Sequence, residues 1–168
     1  MVSKSPVGSV STTGLDTTIL SLDSLNNALV NDEDYGLIRL KGGCFDGSIV
    51  TESDDTMQVS VGLSGKFTYA DLNGDGYKDA IGSLGLNDGA SATYISMDVF
   101  LNIHGSAIHA ASYDFGDRIG PDSIIVSHDT IKVYYTTRTP DEPMASAGSI
   151  RNHKLFKFAH NKLEELKK

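Results

Sequence analysis

An alternation of apolar and polar residues between Ile95 and Ile103 constrains the fold more than any other feature of the chain. Every second residue in this stretch is apolar, and Ser96, Asp98 and Asn102 stand between them. Successive side chains of a β-strand point to opposite faces, so a period of two indicates a strand with one buried face. An amphipathic helix would instead repeat its apolar residues every three or four positions. The chain is therefore predicted to contain a long strand that packs on a core.

Shorter runs with strand character recur along the chain, at residues 36–41, 57–63, 67–69, 124–126, 131–135 and 155–160. Most are joined by segments rich in Gly, Asp or Asn. Short connections favour antiparallel neighbours, because parallel strands need long crossovers. We therefore predict a mainly β fold, with α+β as the open alternative. Its centre is expected to be a mostly antiparallel sheet of about seven strands.

The N-terminal part of the chain departs from the strand pattern. Leu22, Leu25 and Leu29 are spaced as on one face of a helix, which predicts one short N-terminal helix between Asp16 and Asn31. Residues 1–15 are rich in Ser, Thr, Gly and Val and show no helical period, so we expect a flexible leader or an extended arm. Residues 16–168 are predicted to form a single β-rich domain.

The motif that carries chemistry is the segment DLNGDGYKD at residues 71–79. Oxygen-bearing side chains stand at loop positions 1, 3, 5 and 9, and Gly76 at position 6 permits the sharp turn that brings them around one point. Ca²⁺ prefers about six to eight oxygen ligands, which this spacing largely supplies. The expected cofactor is Ca²⁺, and the expected ligands are Asp71, Asn73, Asp75, Asp79 and the backbone carbonyl of Tyr77.

The loop differs from an EF-hand. Position 12 is Gly82, where an EF-hand has a bidentate Glu, and the flanks at residues 66–70 and 80–84 have strand character. Waters, a nearby carbonyl or a remote acid must then complete the coordination sphere. The loop resembles the calcium loops of FG-GAP repeats in integrin-type propellers and, more loosely, those of dockerins. It differs from both because it occurs once.

A wider resemblance appears when the segments around the loop are added. In order, they are Leu63-Ser64-Gly65-Lys66-Phe67, the loop, Gly116-Asp117-Arg118, Ser123-Ile124-Ile125 and Pro140-Asp141-Glu142-Pro143-Met144. This order resembles a group of uncharacterised bacterial proteins of the periplasm or cell exterior, many of them lipoproteins, over roughly residues 25–165. That group usually has adjacent cysteines after the D-x-P-M segment, where this chain has Ala145-Ser146-Ala147-Gly148. The resemblance implies a compartment and a calcium loop but no activity.

The net charge and the cysteine content indicate which partners and which compartment to expect. Lys and Arg total 14 against 22 Asp and Glu, a net charge of −8, which disfavours a nucleic-acid partner. No apolar run approaches the roughly 18 residues that a transmembrane helix needs. Cys44 is the single cysteine, so no internal disulfide forms, and a small buried side chain is expected there. We expect a periplasmic or extracellular protein whose leader has been removed.

Three functions remain open. The first, which we favour, is an exported, non-catalytic, monomeric domain that binds one structural Ca²⁺ and whose protein or surface partner is unidentified. The second is an extracellular hydrolase with a structural or Lewis-acid Ca²⁺, for which Glu52, Asp54, Asp55 and Glu142 are the weakly indicated acids. The third is a subunit of a cell-surface assembly, in which residues 1–20 add a strand to a neighbouring sheet.

Overall fold

The computed structural model describes residues 17–50, 54–143 and 145–167, which form one short helix and twelve strands. The helix is α1 (Leu22–Asn26). The larger sheet contains β1 (Leu29–Asp32), β2 (Gly36–Arg39), β3 (Cys44–Val50), β4 (Thr56–Leu63), β5 (Thr68–Ala70), β6 (Asp79–Asn87), β7 (Tyr94–Ile103) and β8 (Ser106–Asp117). The smaller sheet contains β9 (Pro121–Ser127), β10 (Thr130–Thr137), β11 (Ile150–Ala159) and β12 (Lys162–Glu165). Residues 1–15, predicted to be a leader or arm, lie outside the described residues.

The prediction of a mainly β, mostly antiparallel fold with one short helix is confirmed. The larger sheet has the strand order β2-β1-β8-β7-β6-β4-β3, with β5 paired to β6 beside this path. The smaller sheet has the order β12-β11-β10-β9. Among the described strands, only β1 and β8 pair in parallel, at Leu29 and Ile108. The seven-strand path agrees with the predicted sheet, whereas the separation into two sheets was not predicted.

The connection between β2 and β3 requires the larger sheet to curve. These strands are the two ends of the path, six strand spacings apart, which would be about 29 Å in a flat sheet. The chain from Arg39 to Cys44 spans five residue steps, at most about 18 Å. The sheet therefore curls towards closure. Consistently, the backbone N–H of Gly43, which lies just before β3, donates a hydrogen bond of 2.7 Å to the carbonyl of Asn26, the last residue of α1.

The curved sheet separates two hydrophobic clusters. Phe100 and Val99 are neighbours on β7, so their side chains point to opposite faces. Phe100 belongs to the inner cluster enclosed by the curved sheet and α1, together with Leu25 and Val61. Val99 belongs to the second cluster, which lies between the two sheets and contains Phe156 of β11. The two faces of this strand therefore pack against two different cores.

The helix is shorter than predicted. Ser21 is its N-cap and accepts a hydrogen bond of 3.1 Å from the backbone N–H of Ser24, and Leu25 is its buried residue. Leu29 was predicted on the same helical face, which is wrong: it is the first residue of β1. The antiparallel pairing of β1 with β2 begins at Leu29 and prevails over the apolar spacing. No helix in the described part of the chain is long and apolar enough to cross a membrane.

Candidate metal centre

The predicted calcium loop connects two antiparallel strands. Ala70, at the end of β5, pairs with Asp79, at the start of β6, and closes the loop at its base. The flanks are therefore strands, as the sequence predicted. Gly76 has φ +87°, a left-handed conformation that glycine adopts without steric cost, and it turns the chain in the middle of the loop.

The carboxylate of Asp71 organises the first half of the loop. Asp71 Oδ1 accepts hydrogen bonds from the backbone N–H of Gly74 at 2.7 Å and of Asp75 at 3.2 Å. Asp71 Oδ2 accepts one from the N–H of Gly76 at 2.9 Å. Three N–H dipoles thus point at one carboxylate, which curls the backbone and partly compensates the negative charge.

Asp75 and Asn73 hold the exposed tip of the loop. The backbone N–H of Tyr77 donates to Asp75 Oδ1 at 2.8 Å, and Asn73 Nδ2 donates to Asp75 Oδ2 at 2.9 Å. These two bonds, in that order, lower the pKa of Asp75 because both favour the ionised carboxylate. Asn73 Oδ1 in turn accepts a hydrogen bond of 3.1 Å from the N–H of Asp75. The tip therefore presents an ionised carboxylate to solvent.

Asp79 has a different environment, because its side chain lies in the protein interior. Its Oδ2 accepts from the backbone N–H of Leu72 at 2.9 Å, and its Oδ1 accepts from that of Asn102 at 2.8 Å. Burial raises the pKa of Asp79, and the nearby charges of Asp75 and Asp71 add to the rise, whereas the two N–H groups lower it. A cation in the loop would favour the ionised form.

The donor chemistry of the loop suits a hard cation. Three carboxylates, the amide oxygen of Asn73 and the carbonyl of Tyr77 are all oxygen donors, the kind that Ca²⁺ prefers. Yet no group of three or more His, Cys, Asp or Glu side chains within the described ranges is arranged to hold a metal ion. Calcium binding by this loop therefore rests on donor type and backbone curl, without a preformed cage of side chains.

Two neighbouring segments border the loop. The ring of Tyr77 packs edge-on against that of His104 in the β7–β8 turn, with centroids 5.5 Å apart. On the other side, a cavity of about 400 Å³ is lined by Asn73 and by the turn residues His160 and Asn161 between β11 and β12. The loop is therefore in contact with the hairpin of the larger sheet and close to that of the smaller one.

A second polar cluster, which the sequence analysis did not single out, lies on β7 and β8. Asp98 is buried, and its Oδ1 lies 3.0 Å from His109 Nε2 and accepts a hydrogen bond of 2.7 Å from Ser112 Oγ. Asp98 Oδ2 accepts a hydrogen bond of 2.7 Å from Ser96 Oγ. The alternation of β7 places Asp98 on the face opposite the regularly spaced apolar residues, so the pattern indicated an exposed side chain and not a buried one.

The hydrogen bonds of His109 differ from those of a catalytic triad. In a triad, the histidine contacts serine through one ring nitrogen and aspartate through the other. Here both Asp98 and Ser112 lie against Nε2, while Nδ1 accepts a hydrogen bond of 3.2 Å from the backbone N–H of Asn31 on β1. With Nδ1 as an acceptor, Nε2 is the ring nitrogen that donates, and the ring is held in one orientation. This cluster ties β1 to β7 and β8.

The remaining sequence candidates have local structural roles. Arg118 and Asp117 form an ion pair of 2.8 Å, and Asp117 Oδ1 also accepts from the N–H of Thr93. Glu142 accepts a hydrogen bond of 2.7 Å from the N–H of Thr139 and caps its own turn. The hydrolase hypothesis also named Glu52, Asp54 and Asp55. Of these three acids, Glu52 lies outside the described residues.

Cys44 was expected to be buried, and this prediction is wrong. It begins β3, which is an end strand of the larger sheet, and its side chain is an exposed thiol. Apolar character indicated burial, but alternation along β3 places the following residue, Phe45, against the inner cluster instead.

The comparisons with known proteins give no match: no family model, no curated protein and no solved structure is similar to this chain at a significant level. The bacterial family inferred from the order of segments therefore stays a prediction. Its segment at 116–118 lies at the end of β8, and residues 140–143 lie between β10 and β11. Met144, the last residue of that segment, lies outside the described residues.

Proposed function

We propose that the chain is an exported, non-catalytic domain that binds one structural Ca²⁺ in the loop between β5 and β6. The ligands would be Asp71, Asn73, Asp75 and Asp79 by side chain and Tyr77 by its carbonyl. The observation that carries the proposal is the convergence of three backbone N–H groups on the carboxylate of Asp71, which curls an acidic loop around one point.

The cation would stabilise the junction between β5 and β6. Asp79 belongs to both the loop and β6, so an ion held there would link the exposed tip to the buried start of a central strand. A ligand that binds only the folded state adds about 2.7 kcal/mol at a hundredfold excess over its Kd. A chain with one cysteine has no internal disulfide to supply such a link, and calcium outside the cell is abundant enough to fill a weak site.

The charge and the fold support the remaining parts of the proposal. A net charge of −8 repels phosphate backbones and attracts cations, so a nucleic-acid partner is not proposed. The described polar clusters serve turns and strand contacts, which supports a binding or structural role over hydrolysis. We propose a monomer in the periplasm or outside the cell, with a protein or surface partner.

A thermal melt tests the proposal. The protein would be melted in chelator, in excess Ca²⁺ and in excess Mg²⁺. We expect Ca²⁺ to raise Tm by roughly 5–10 °C for a chain of this size, and Mg²⁺ to raise it much less. Asp75→Ala should abolish the rise. Lys78→Ala, which removes an exposed side chain that is not a proposed ligand, should keep it. A Tm that is the same in all three solutions would refute the calcium site.

A further inference from the structure

The buried side chain of Asn102 joins three separate parts of the chain. Asn102 Nδ2 donates hydrogen bonds to the carbonyl of Thr17 at 2.9 Å and to that of Lys78 at 3.3 Å. Asn102 Oδ1 accepts one of 2.7 Å from the N–H of Gly105. Only 1% of the residue is exposed, and both polar atoms of its amide are used. Asn102 therefore links the segment 17–20, the end of the loop and the β7–β8 turn.

The segment 17–20 is attached to the end of the loop at Lys78. The backbone N–H of Lys78 donates a hydrogen bond of 2.8 Å to the carbonyl of Thr18, and Ile19 pairs with Lys78 in an isolated parallel bridge. Leu20 is buried in the inner cluster. An isolated bridge outside the named strands is the kind of attachment that opens locally before the whole fold does.

Asn102 is also bonded to the proposed calcium loop. The backbone N–H of Asn102 holds Asp79, the last proposed ligand, while its side chain holds Thr17 and Lys78. Lys78 is the residue just before Asp79, so the residue that pairs with the N-terminal segment is bonded directly to a proposed ligand. A change in the position of Asp79 therefore acts at once on the partners of the segment.

We propose that occupancy of the loop by a cation is coupled to docking of the segment 17–20, with Asn102 as the positioning residue that connects them. This inference rests on the proposed function, because it requires that the loop binds Ca²⁺. A bound ion would fix Asp79 and Lys78 and hold the segment in place. Removal of the ion would release the segment, including Leu20, while the rest of the two cores stays folded. Coupling of this kind is reciprocal, so docking of the segment also strengthens Ca²⁺ binding by the same factor.

Amide hydrogen exchange measured by NMR tests the coupling. The amide of Lys78 reports docking because it donates to Thr18. The amide of Val133, in the buried centre of β10, reports stabilisation of the whole fold. In chelator, exchange at Lys78 should be faster than at Val133, because the segment opens locally. Ca²⁺ should then slow exchange at Lys78 about 5- to 150-fold. Ca²⁺ binding would be measured by titration on the same sample.

Asn102→Ala separates the side chain from the backbone, because the N–H that holds Asp79 remains. The variant should still bind Ca²⁺, with a lower affinity, and Ca²⁺ should slow exchange at Lys78 by a smaller factor than in the wild-type chain. Asn87→Ala is the matched control. Asn87 bonds its own turn in the same way, with Nδ2 donating to Ala90 and Ala92 and Oδ1 accepting from Gly89, but it lies at the opposite end of β6 from Asp79. It should leave both readouts unchanged.

The outcomes distinguish the two proposals. Ca²⁺ binding supports the coupling if exchange at Lys78 is faster than at Val133 in chelator and is slowed by Ca²⁺. Ca²⁺ binding that leaves exchange at Lys78 unchanged, or exchange at Lys78 already as slow as at Val133 in chelator, overturns the coupling and leaves the calcium site intact. No Ca²⁺ binding overturns the proposed function and the coupling with it. If Asn102→Ala does not fold, the wild-type comparison still decides between these results.

Discussion

The backbone N–H of Asn102 donates a hydrogen bond of 2.8 Å to Asp79 Oδ1, and both residues are almost completely buried. The acidic loop between β5 and β6 is therefore attached to the core through its last carboxylate. Asp75, at the tip of the same loop, is exposed and bonds only within the loop. The two acids of one motif thus have separable roles, which leads to the first prediction.

Asp79→Ala should destabilise the fold even without a cation. The change leaves the N–H groups of Leu72 and Asn102 without their acceptor in a buried place, at a cost of about 1–3 kcal/mol each. Urea unfolding in chelator should show a free energy of unfolding lower by about 2–5 kcal/mol. In chelator, Asp75→Ala should unfold like the wild-type chain. In Ca²⁺, it should be less stable than the wild-type chain. Equal effects of both variants in chelator would contradict this separation.

Asp98→Ala should cost more than any other polar substitution on β7. It leaves His109 Nε2 and two serine hydroxyls without their acceptor in a mostly buried cluster, at a cost of about 1–3 kcal/mol for each buried donor. Ser112→Ala is the matched control. This serine is exposed, so the loss should stay below about 1 kcal/mol. Denaturant unfolding of both variants measures the difference, and similar losses would argue against a buried cluster.

Gly148→Ala should be strongly unfavourable. Gly148 has φ +81°, and a Cβ atom there would lie 2.7 Å from the carbonyl oxygen of Thr137, a backbone atom that cannot swing away. The strain costs about 1–3 kcal/mol, visible as a lower free energy of unfolding. Gly62→Ala on β4 is the control because nothing lies within 4 Å of the new methyl group. The contact is refuted if the two variants unfold at the same denaturant concentration.

Glu165→Gln should weaken the fold at neutral pH and have no effect in acid. Glu165 accepts hydrogen bonds from Lys154 Nζ at 2.7 Å and from the hydroxyl of Tyr113 at 3.2 Å. The Lys154 bond is the main reason why the pKa of Glu165 is lowered, and the same bond raises the pKa of Lys154. A lowered carboxyl pKa gives stability above the ordinary Glu value, which is lost as pH falls through the lowered one.

Unfolding curves from neutral pH to about pH 3 measure this effect. Wild type and Glu165→Gln should differ at neutral pH and converge in acid. A difference that persists unchanged in acid would contradict the ion pair as its cause. Glu164→Gln, on the neighbouring residue of β12, provides the control and should follow the wild-type curve.

The sequence could predict elements whose pattern is local. The long strand β7 was predictable because its apolar residues alternate, as expected when successive side chains of a strand point to opposite faces. Its neighbour β8 was not, because the β7–β8 pairing shifts register at Val99 and Phe100. Such a bulge moves later side chains to the other face, so the apolar residues of β8 lose their period of two. The same register shift is invisible in sequence because it depends on the partner strand.

The candidate site was predictable in its residues and not in its anchoring. Loop positions 71–79 were identified from spacing alone, and the strand flanks are confirmed. The roles of Asn102 and His109 were not predicted, because their partners lie far away in the chain. Asn102 bonds Thr17, and His109 bonds Asn31. Contacts of this range arise from sheet topology, which a single sequence does not reveal.

Calcium titration calorimetry decides whether the loop at residues 71–79 binds Ca²⁺. The wild-type chain would be stripped with chelator and titrated with Ca²⁺, beside Asp75→Ala and the control Lys78→Ala. We expect one Ca²⁺ bound per wild-type chain and per Lys78→Ala chain, and none detected with Asp75→Ala. Absence of binding to the wild-type chain, or unchanged binding to Asp75→Ala, would show that the loop at residues 71–79 is not the calcium site.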